Sequence, residues 1–295
     1  MIQTQTSALV DDYREENGIY LPPTAVEHRE AEYHSEGFDV MRDMQRRHFW
    51  YRGRHRFLLH AVKRFTEGRT SHPQRVIDLG GGCGGWVSYL CDSAPFAISE
   101  IGLTDSSPTA LAIAREQLPG SVKVFHADLL NLQWQNRWDI AFLLDVLEHI
   151  PSDVAALKQI HAALAPGGLL FVTVPALQAF WTWNDELIGH QRRYTTQDFR
   201  ALAEDSGLEL MDARYFMFFL SPLLFASRLL QKGRVKTLSD AQRWKVAEEM
   251  HKVPAAPING ALSAVFGAET PLGHWTSFPW GTSLLAVLRK PVEGR

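Results

Sequence analysis

The stretch VIDLGGGCGGW, residues 76–86, decides the architecture. A short apolar run ends in Asp78, and five glycines follow within six residues. A run of this length reads as a buried strand, and glycines just beyond it allow a tight turn and a close approach of backbone to a ligand. The alternation continues downstream: FAISEIGLTD ends at Asp105, VKVFHADLL contains Asp128, WDIAFLLDVLEHI carries Asp145, and LLFVTVP is a fifth apolar run. Helix-like segments separate them: residues 86–91, then SSPTALAIAREQL with Pro108 in its first turn, then DVAALKQIHAALAPGG behind Ser152 as N-cap. Thr195 with Asp198 three residues on predicts a capped helix closed by Gly207, and LELMDARYFMF and TSLLAVLRK supply two last strands.

Wholly apolar strands alternating with helices predict a parallel sheet covered on both faces. The expected fold is α/β, doubly wound and Rossmann-like, with a mostly parallel seven-stranded sheet. An N-terminal helical arm or lid is expected over residues 1–72, its first 40 residues, with Pro22, Pro23 and many acids, reading as a loosely ordered arm or a helix pair; the main domain is expected over 73–295, and a helical insertion over 221–280, before the last strand. Ligands in such sheets sit beyond the carboxyl ends of the strands. The glycine loop, Asp105, Asp128 and Asp145 are therefore expected along one edge.

Composition excludes some classes. Hydrophobic content is 45% and the formal net charge is −3, so there is no global basic field and nucleic acid is not an expected partner. Charge is nonetheless segregated: residues 1–40 carry nine acids against Arg14 and Arg29, whereas residues 44–64 carry Arg46, Arg47, Arg52, Arg54, Arg56, Lys63 and Arg64 and no acid. This reads either as two solvated faces that attract one another or as a basic wall for an anionic ligand or lipid headgroups. Cys83 and Cys91 make no disulfide framework, which points to the cytoplasm, and the N-terminus lacks the basic and apolar regions of a signal peptide. The most apolar run, residues 215–230, contains Pro222 and Arg228 and is short for a membrane span. It reads as core or substrate lid or, with Lys232 beyond it, as a segment resting peripherally on the inner face of a membrane. Monomer and homodimer both remain open.

Two glycine spacings compete. Gly80-x-Gly82-x-x-Gly85 satisfies a dinucleotide fingerprint, which keeps an NAD(P)-dependent oxidoreductase as the alternative. Asp78-x-Gly80-x-Gly82-x-Gly84 also fits, and a carboxylate so close to the loop repels a pyrophosphate and attracts an ammonium. Asp105 is placed to accept both hydroxyls of a ribose, and Asp128 to accept from an adenine amino group. Together they describe a site for a cationic, phosphate-free adenosine derivative, S-adenosylmethionine.

Five ordered segments, VIDLGGGCGGW, GLTDSSPTALAIAR, FHADLLNL, LLDVLEHI and LAPGGLLFVTVP, resemble the class I S-adenosylmethionine-dependent methyltransferases, and more narrowly their bacterial type 11/12, ubiquinone-biosynthesis-like subgroup. The resemblance runs over residues 74–210. It implies that Asp78, Gly80, Gly82 and Gly84 hold the methionine moiety, Asp105 the ribose and Asp128 the adenine end, with Ser106, Leu129 and Asp145 beside them and S-adenosylhomocysteine as product. Tyr51 and Arg52 are expected to close over the cofactor from the N-terminal side. A catalytically silent S-adenosylmethionine-binding module is the non-enzymatic alternative.

A hydroxyl acceptor, slightly favoured over nitrogen or carbon, would gain from a base, and histidine is the usual one at neutral pH. His149 lies past the fourth strand, where it either acts as that base or fixes the loop. His190, in GHQRRY, is the second candidate. Arg192 and Arg193 either clamp an anionic acceptor, small or lipid-linked, or pair with Asp185 or Glu186 and pin the loop. Trp181, Trp183 and Tyr194 are expected as an aromatic acceptor wall or as core. No metal site is expected, because HExxH is absent and His48, His55 and His60 fall within the basic run.

Overall fold

A computed structural model describes residues 13–26, 28, 37–68, 72–226 and 238–292. Arg228, Lys232 and most of the N-terminal acids lie outside the described residues. The strands are β1 (Arg14–Glu16), β2 (Ile19–Leu21), β3 (Gln74–Leu79), β4 (Ile98–Asp105), β5 (Lys123–His126), β6 (Trp138–Leu144), β7 (Leu164–Pro175), β8 (Glu209–Phe216) and β9 (Ser283–Arg289). They form one sheet in the order β1-β2-β5-β4-β3-β6-β7-β9-β8. Neighbours from β2 to β7 run parallel, while β9 is antiparallel to both β7 and β8.

The sheet has nine strands rather than seven, and the difference lies in the N-terminal arm. Residues 14–21, expected within a loosely ordered arm or a helix pair, form a hairpin whose β2 pairs in parallel with β5, Ile19 against Val124 and Tyr20 against Phe125. The cause is local. Asn17 and Gly18 adopt φ of 52° and 77°, the left-handed pair that a two-residue hairpin turn demands, and Ile19, Tyr20 and Leu21 favour an extended backbone. Further along, the arm contributes two helices, α1 (Gly37–Arg47) and α2 (Phe49–Thr66).

Helices cover both faces. On one side α2, α3 (Gly85–Ser93), α4 (Pro108–Gln117) and α9 (Ala256–Trp275) enclose a core that includes Phe57, Val76, Trp86, Leu111, Phe142 and Phe266. On the other, α5 (Asp153–Ala163) and α7 (Thr196–Ser206) pack Leu157, Ile160 and Phe199 against Ile77, Leu143 and Val172. The capping box of Thr195 and Asp198 forms, and Gly207 ends α7 with φ 78°. Ser152 occupies the N-cap of α5 without a capping hydrogen bond from its side chain. The insertion contributes α8 (Asp240–His251) and α9, and α6 (Trp183–Leu187) lies in the loop after β7. No helix among the described residues is long and apolar enough to cross a membrane.

Helix α2 packs alongside α9, whose Phe266 also stacks on Phe216 of β8, and Gly53 sets the distance between the two helices. A Cβ there would lie 1.9 Å from Cδ1 of Phe266, whose ring is fully buried and cannot swing away. Gly53→Ala is expected to cost about 1–3 kcal/mol through overpacking, read as a lower denaturation midpoint in urea. An unchanged midpoint would mean that α9 packs less tightly than described.

Candidate active site

The turn after β3 is built for close approach. Gly80 has φ 68°, and a Cβ on it would come within 2.7 Å of Val146, so the segment after β6 can lie directly against the loop. The Gly82 N–H donates to Asp105 Oδ2 at 3.0 Å and the Ser107 N–H donates to Oδ1 at 2.9 Å, which fixes the carboxylate at the end of β4. The Gly85 N–H, at the start of α3, donates to Gln45 Oε1 of α1 at 2.9 Å. A dinucleotide-type site presents this helix terminus to a pyrophosphate; here a donor of that first turn is already engaged. Gly84 is the N-cap of α3 with φ 83° and lies outside the cavity lining.

A cleft of about 1040 Å³, counting its open mouth, lies over these strand ends. It brings together Tyr51, Asp78, Gly80, Gly82, Asp105, Ser106, Asp128, Leu129, Asp145 and His149, all named from sequence. Asp128 is the N-cap of a short 3-10 turn, its Oδ1 accepting the Leu130 N–H at 2.9 Å. His28 adds a contact from the arm, its Nδ1 lying 3.0 Å from Ser106 Oγ.

Arg52 does not reach the cleft; Arg54 does. Arg54 follows Tyr51 by three positions and so shares its helix face, whereas Arg52 is exposed on another. Its guanidinium is ion-paired with Asp145 and lies 5.1 Å from the ring centroids of both Trp50 and Tyr51. Asp145 itself has φ 58°, a left-handed conformation at the strand end that turns the chain into the segment carrying Glu148 and His149.

Electrostatics favour a cationic guest. Burial pushes Asp78 up to about 7, with Arg54 opposing and Asp105 adding to the rise. Burial also raises Asp105, against the N–H groups of Ser107 and Gly82, and raises Asp145, against Arg54. Asp78 is 3% exposed, and among the described residues its Oδ1 accepts no hydrogen bond. Such an orphaned acceptor is costly unless a donor arrives, and an ammonium both satisfies it and favours its ionised form. The residues thus fit the group expected from sequence.

A second polar layer stands behind His149. Glu148, His149 and His190 offer ligand or proton-accepting atoms within 4.8 Å of one another, with His190 Nε2 3.8 Å from Glu148 Oε1 and the two imidazole rings edge to face at 4.8 Å. Burial and the charge of Asp145 push the Glu148 carboxyl well up. His190 Nδ1 lies 2.9 Å from Asp185 Oδ1, which also accepts from Arg193 Nε at 2.9 Å. Burial alone would raise Asp185, but its bond with His190 and the charge of Arg193 hold it well below the usual carboxylate range.

The remaining sequence candidates are elsewhere. Arg192 pairs with Asp153 at 2.8 Å, and Tyr194, 2% exposed, donates to Leu147 O at 3.2 Å, so both brace the loops rather than face the cleft. Trp181 donates to Glu186 Oε1 at 3.3 Å and Trp183 opens α6; neither lines the cleft, nor do His190 and Arg193. Sequence reading missed Arg54, Gln45, His28 and Glu148. Only Arg54 carried a usable signal, its helical spacing from Tyr51.

The family described as "Methyltransferase domain" matches residues 28–213, more than half of the chain. The trans-aconitate 2-methyltransferase of Methylobacterium nodulans is 40% identical over 103 residues, covering 35% of this chain and 39% of that enzyme. The ubiquinone biosynthesis O-methyltransferase of Pseudomonas paraeruginosa is 27% identical over 155 residues, covering 46% and 65%. The matched part thus spans less than two-thirds of either relative. Haemonchus contortus phosphoethanolamine N-methyltransferase 2, solved in complex with S-adenosyl-L-methionine, shares the fold with a TM-score of 0.54 at 18% identity, covering 92% of this chain and 62% of that one. With the matched segment enclosing the glycine loop and every carboxylate of the cleft, the chain belongs to the class I S-adenosylmethionine-dependent methyltransferases.

Proposed function

We propose that the protein transfers a methyl group from S-adenosylmethionine to an oxygen of a small-molecule or lipid-linked acceptor. The observation that carries this reading is the orphaned, buried Oδ1 of Asp78 in a cleft rimmed by Asp105, Asp128 and Asp145. Bound there, the cofactor supplies a methyl group made electrophilic by its sulfonium. Asp78 takes the ammonium, Asp105 the ribose hydroxyls and Asp128 the adenine end, while Tyr51 and Arg54 form the wall on the α2 side. His149 is the group on the cleft wall suited to accept a hydroxyl proton. His190 is a positioning residue behind it, fixed through Nδ1 by Asp185, which Arg193 in turn holds. Trp181 and Trp183 are the candidates for an outer acceptor wall beyond the described cleft.

The relatives' names span oxygen and nitrogen acceptors, so the preference for oxygen rests on His149 alone. Mass spectrometry of cell extracts incubated with enzyme and cofactor, searched for metabolites heavier by one methyl, identifies the acceptor.

Calorimetry tests the cofactor. S-adenosylhomocysteine is expected to bind and NADH not to bind; the reverse would overturn the reading. Because Asp78 must ionise to hold an ammonium, affinity is expected to be steady well above pH 7 and to weaken as pH falls through about 7, approaching tenfold per unit. Asp78→Asn should bind more weakly and lose that dependence. A wild-type affinity flat between pH 6 and 8 would separate Asp78 from the ammonium.

A further inference from the structure

Helix α9 is inside out. Its buried positions hold Asn259, Ser263, Glu269 and Thr270 beside Phe266 and Gly273, whereas every exposed position from 256 to 275 is apolar or glycine. An ordinary surface helix has the opposite pattern. The polar groups are accounted for: Asn259 Oδ1 accepts the Phe49 N–H at 2.8 Å, and Glu269 Oε2 accepts the Phe219 N–H at 2.9 Å. The outward row is not. Ile258, Val265, Leu272 and Trp275 are 58%, 39%, 41% and 86% exposed, and their spacing of about two turns puts the first three on one stripe. Twenty residues make this a face about 30 Å long. An apolar surface of that extent marks an interaction site.

Its flank says which kind. Helix α2 runs alongside α9 in the same direction: Arg47 O meets Asn259 at one end, Arg56 Nη2 donates to Ser263 O at 2.8 Å, and His274 Nε2 lies 2.8 Å from Phe57 O at the other. The outward side of α2 carries Arg52 and Lys63, with half-buried Arg56 between them held by Ser263, and Arg46 and Arg47 stand at the neighbouring end of α1, Arg47 lying 3.5 Å from Asp43; no acid occurs between Met44 and Arg64. A flat apolar stripe bordered by a row of cations and ending in an exposed tryptophan is complementary to an anionic bilayer surface: acyl chains below, phosphate headgroups beside. A second copy packed antiparallel on the same face, through a two-fold axis perpendicular to α9, would bring the cationic rows of the two copies together, and like charges oppose that arrangement.

We propose that α9 and the cationic row of α2 form a docking face for an anionic lipid surface, with α9 lying in the interface plane. Because α2 presents Tyr51 and Arg54 to the cleft from another side, docking there holds the active site beside the membrane.

The test is co-sedimentation of the full chain with vesicles of phosphatidylcholine alone and of phosphatidylcholine with phosphatidylglycerol. Binding is expected to the anionic vesicles only and to weaken with salt. Val265→Asp with Leu272→Asp should reduce partitioning about a hundredfold, and Lys63→Glu about tenfold. Both variants alter exposed positions outside the cleft, so their unchanged calorimetric affinity for S-adenosylhomocysteine shows that the fold and cofactor site survive. Wild-type protein that ignores anionic vesicles, binds neutral ones equally well, or binds regardless of these substitutions overturns the proposal. So does a wild-type dimer that Val265→Asp with Leu272→Asp converts to monomer, which would assign the face to a second copy. Sedimentation needs no methyl acceptor, so its failure is distinct from a failure of the proposed reaction.

Discussion

Asp105→Ala is expected to abolish measurable cofactor binding. The carboxylate is already fixed by the backbone N–H groups of Gly82 and Ser107, so it meets a ribose without reorganising. Two hydrogen bonds from ribose hydroxyls to a charged acceptor contribute about 1.5–3 kcal/mol each, so their loss weakens S-adenosylhomocysteine binding by about 10²–10⁴. The alanine also strips an acceptor from the loop, which adds to the loss. Circular dichroism and thermal melting separate a local defect from unfolding. A folded Asp105→Ala protein that binds within a few-fold of wild type would remove the ribose from this position.

His149→Ala is expected to have the next largest effect, on turnover rather than on binding. If His149 takes the acceptor proton, kcat falls by about 10²–10⁴ while affinity for S-adenosylhomocysteine changes little. His190 does not border the cleft, so His190→Ala should give a smaller loss in kcat together with an altered pH dependence. A lower melting temperature with an unmoved pH profile would make His190 merely a brace. Exogenous imidazole restoring part of the activity of His149→Ala would support the base role, and normal kcat in that variant would exclude it.

Much of the parallel sheet was legible because β3, β6 and β7 each carry an apolar run, residues 76–77, 140–144 and 169–172, as strands buried on both faces do. Helices α4 and α7 announced themselves through Pro108, the Thr195–Asp198 box and Gly207. The N-terminal hairpin was not legible in the same way. Its strands are three residues each, and the Asn17–Gly18 turn signal is surrounded by acids that suggested a loosely ordered segment. The cofactor side of the site was readable because Asp78, Asp105, Asp128 and Asp145 follow apolar runs, and a parallel sheet delivers such positions to one edge.

The cleft residues supplied by the helices and the arm were harder to read, since they depend on which way each helix turns. Arg54 looks like its six basic neighbours in residues 44–64 until the phase of α2 is known. Gln45 and His28 reach the site from an arm whose docking no local pattern specifies. Conversely, Arg192 and Tyr194 have the chemistry of ligand-binding residues, but both meet Asp153 first.

The outermost strand has a consequence for how the protein behaves in crowded solution. β1 is only three residues long, and Arg14, Glu15 and Glu16 all point into water. Unsatisfied backbone at a sheet margin invites strands from other molecules, and a brief, highly charged terminus discourages that growth. Deleting the hairpin would uncover the margin of β5, whose interior residues Val124 and Phe125 are wholly apolar, and would trade a self-limiting sheet for one prone to polymerise.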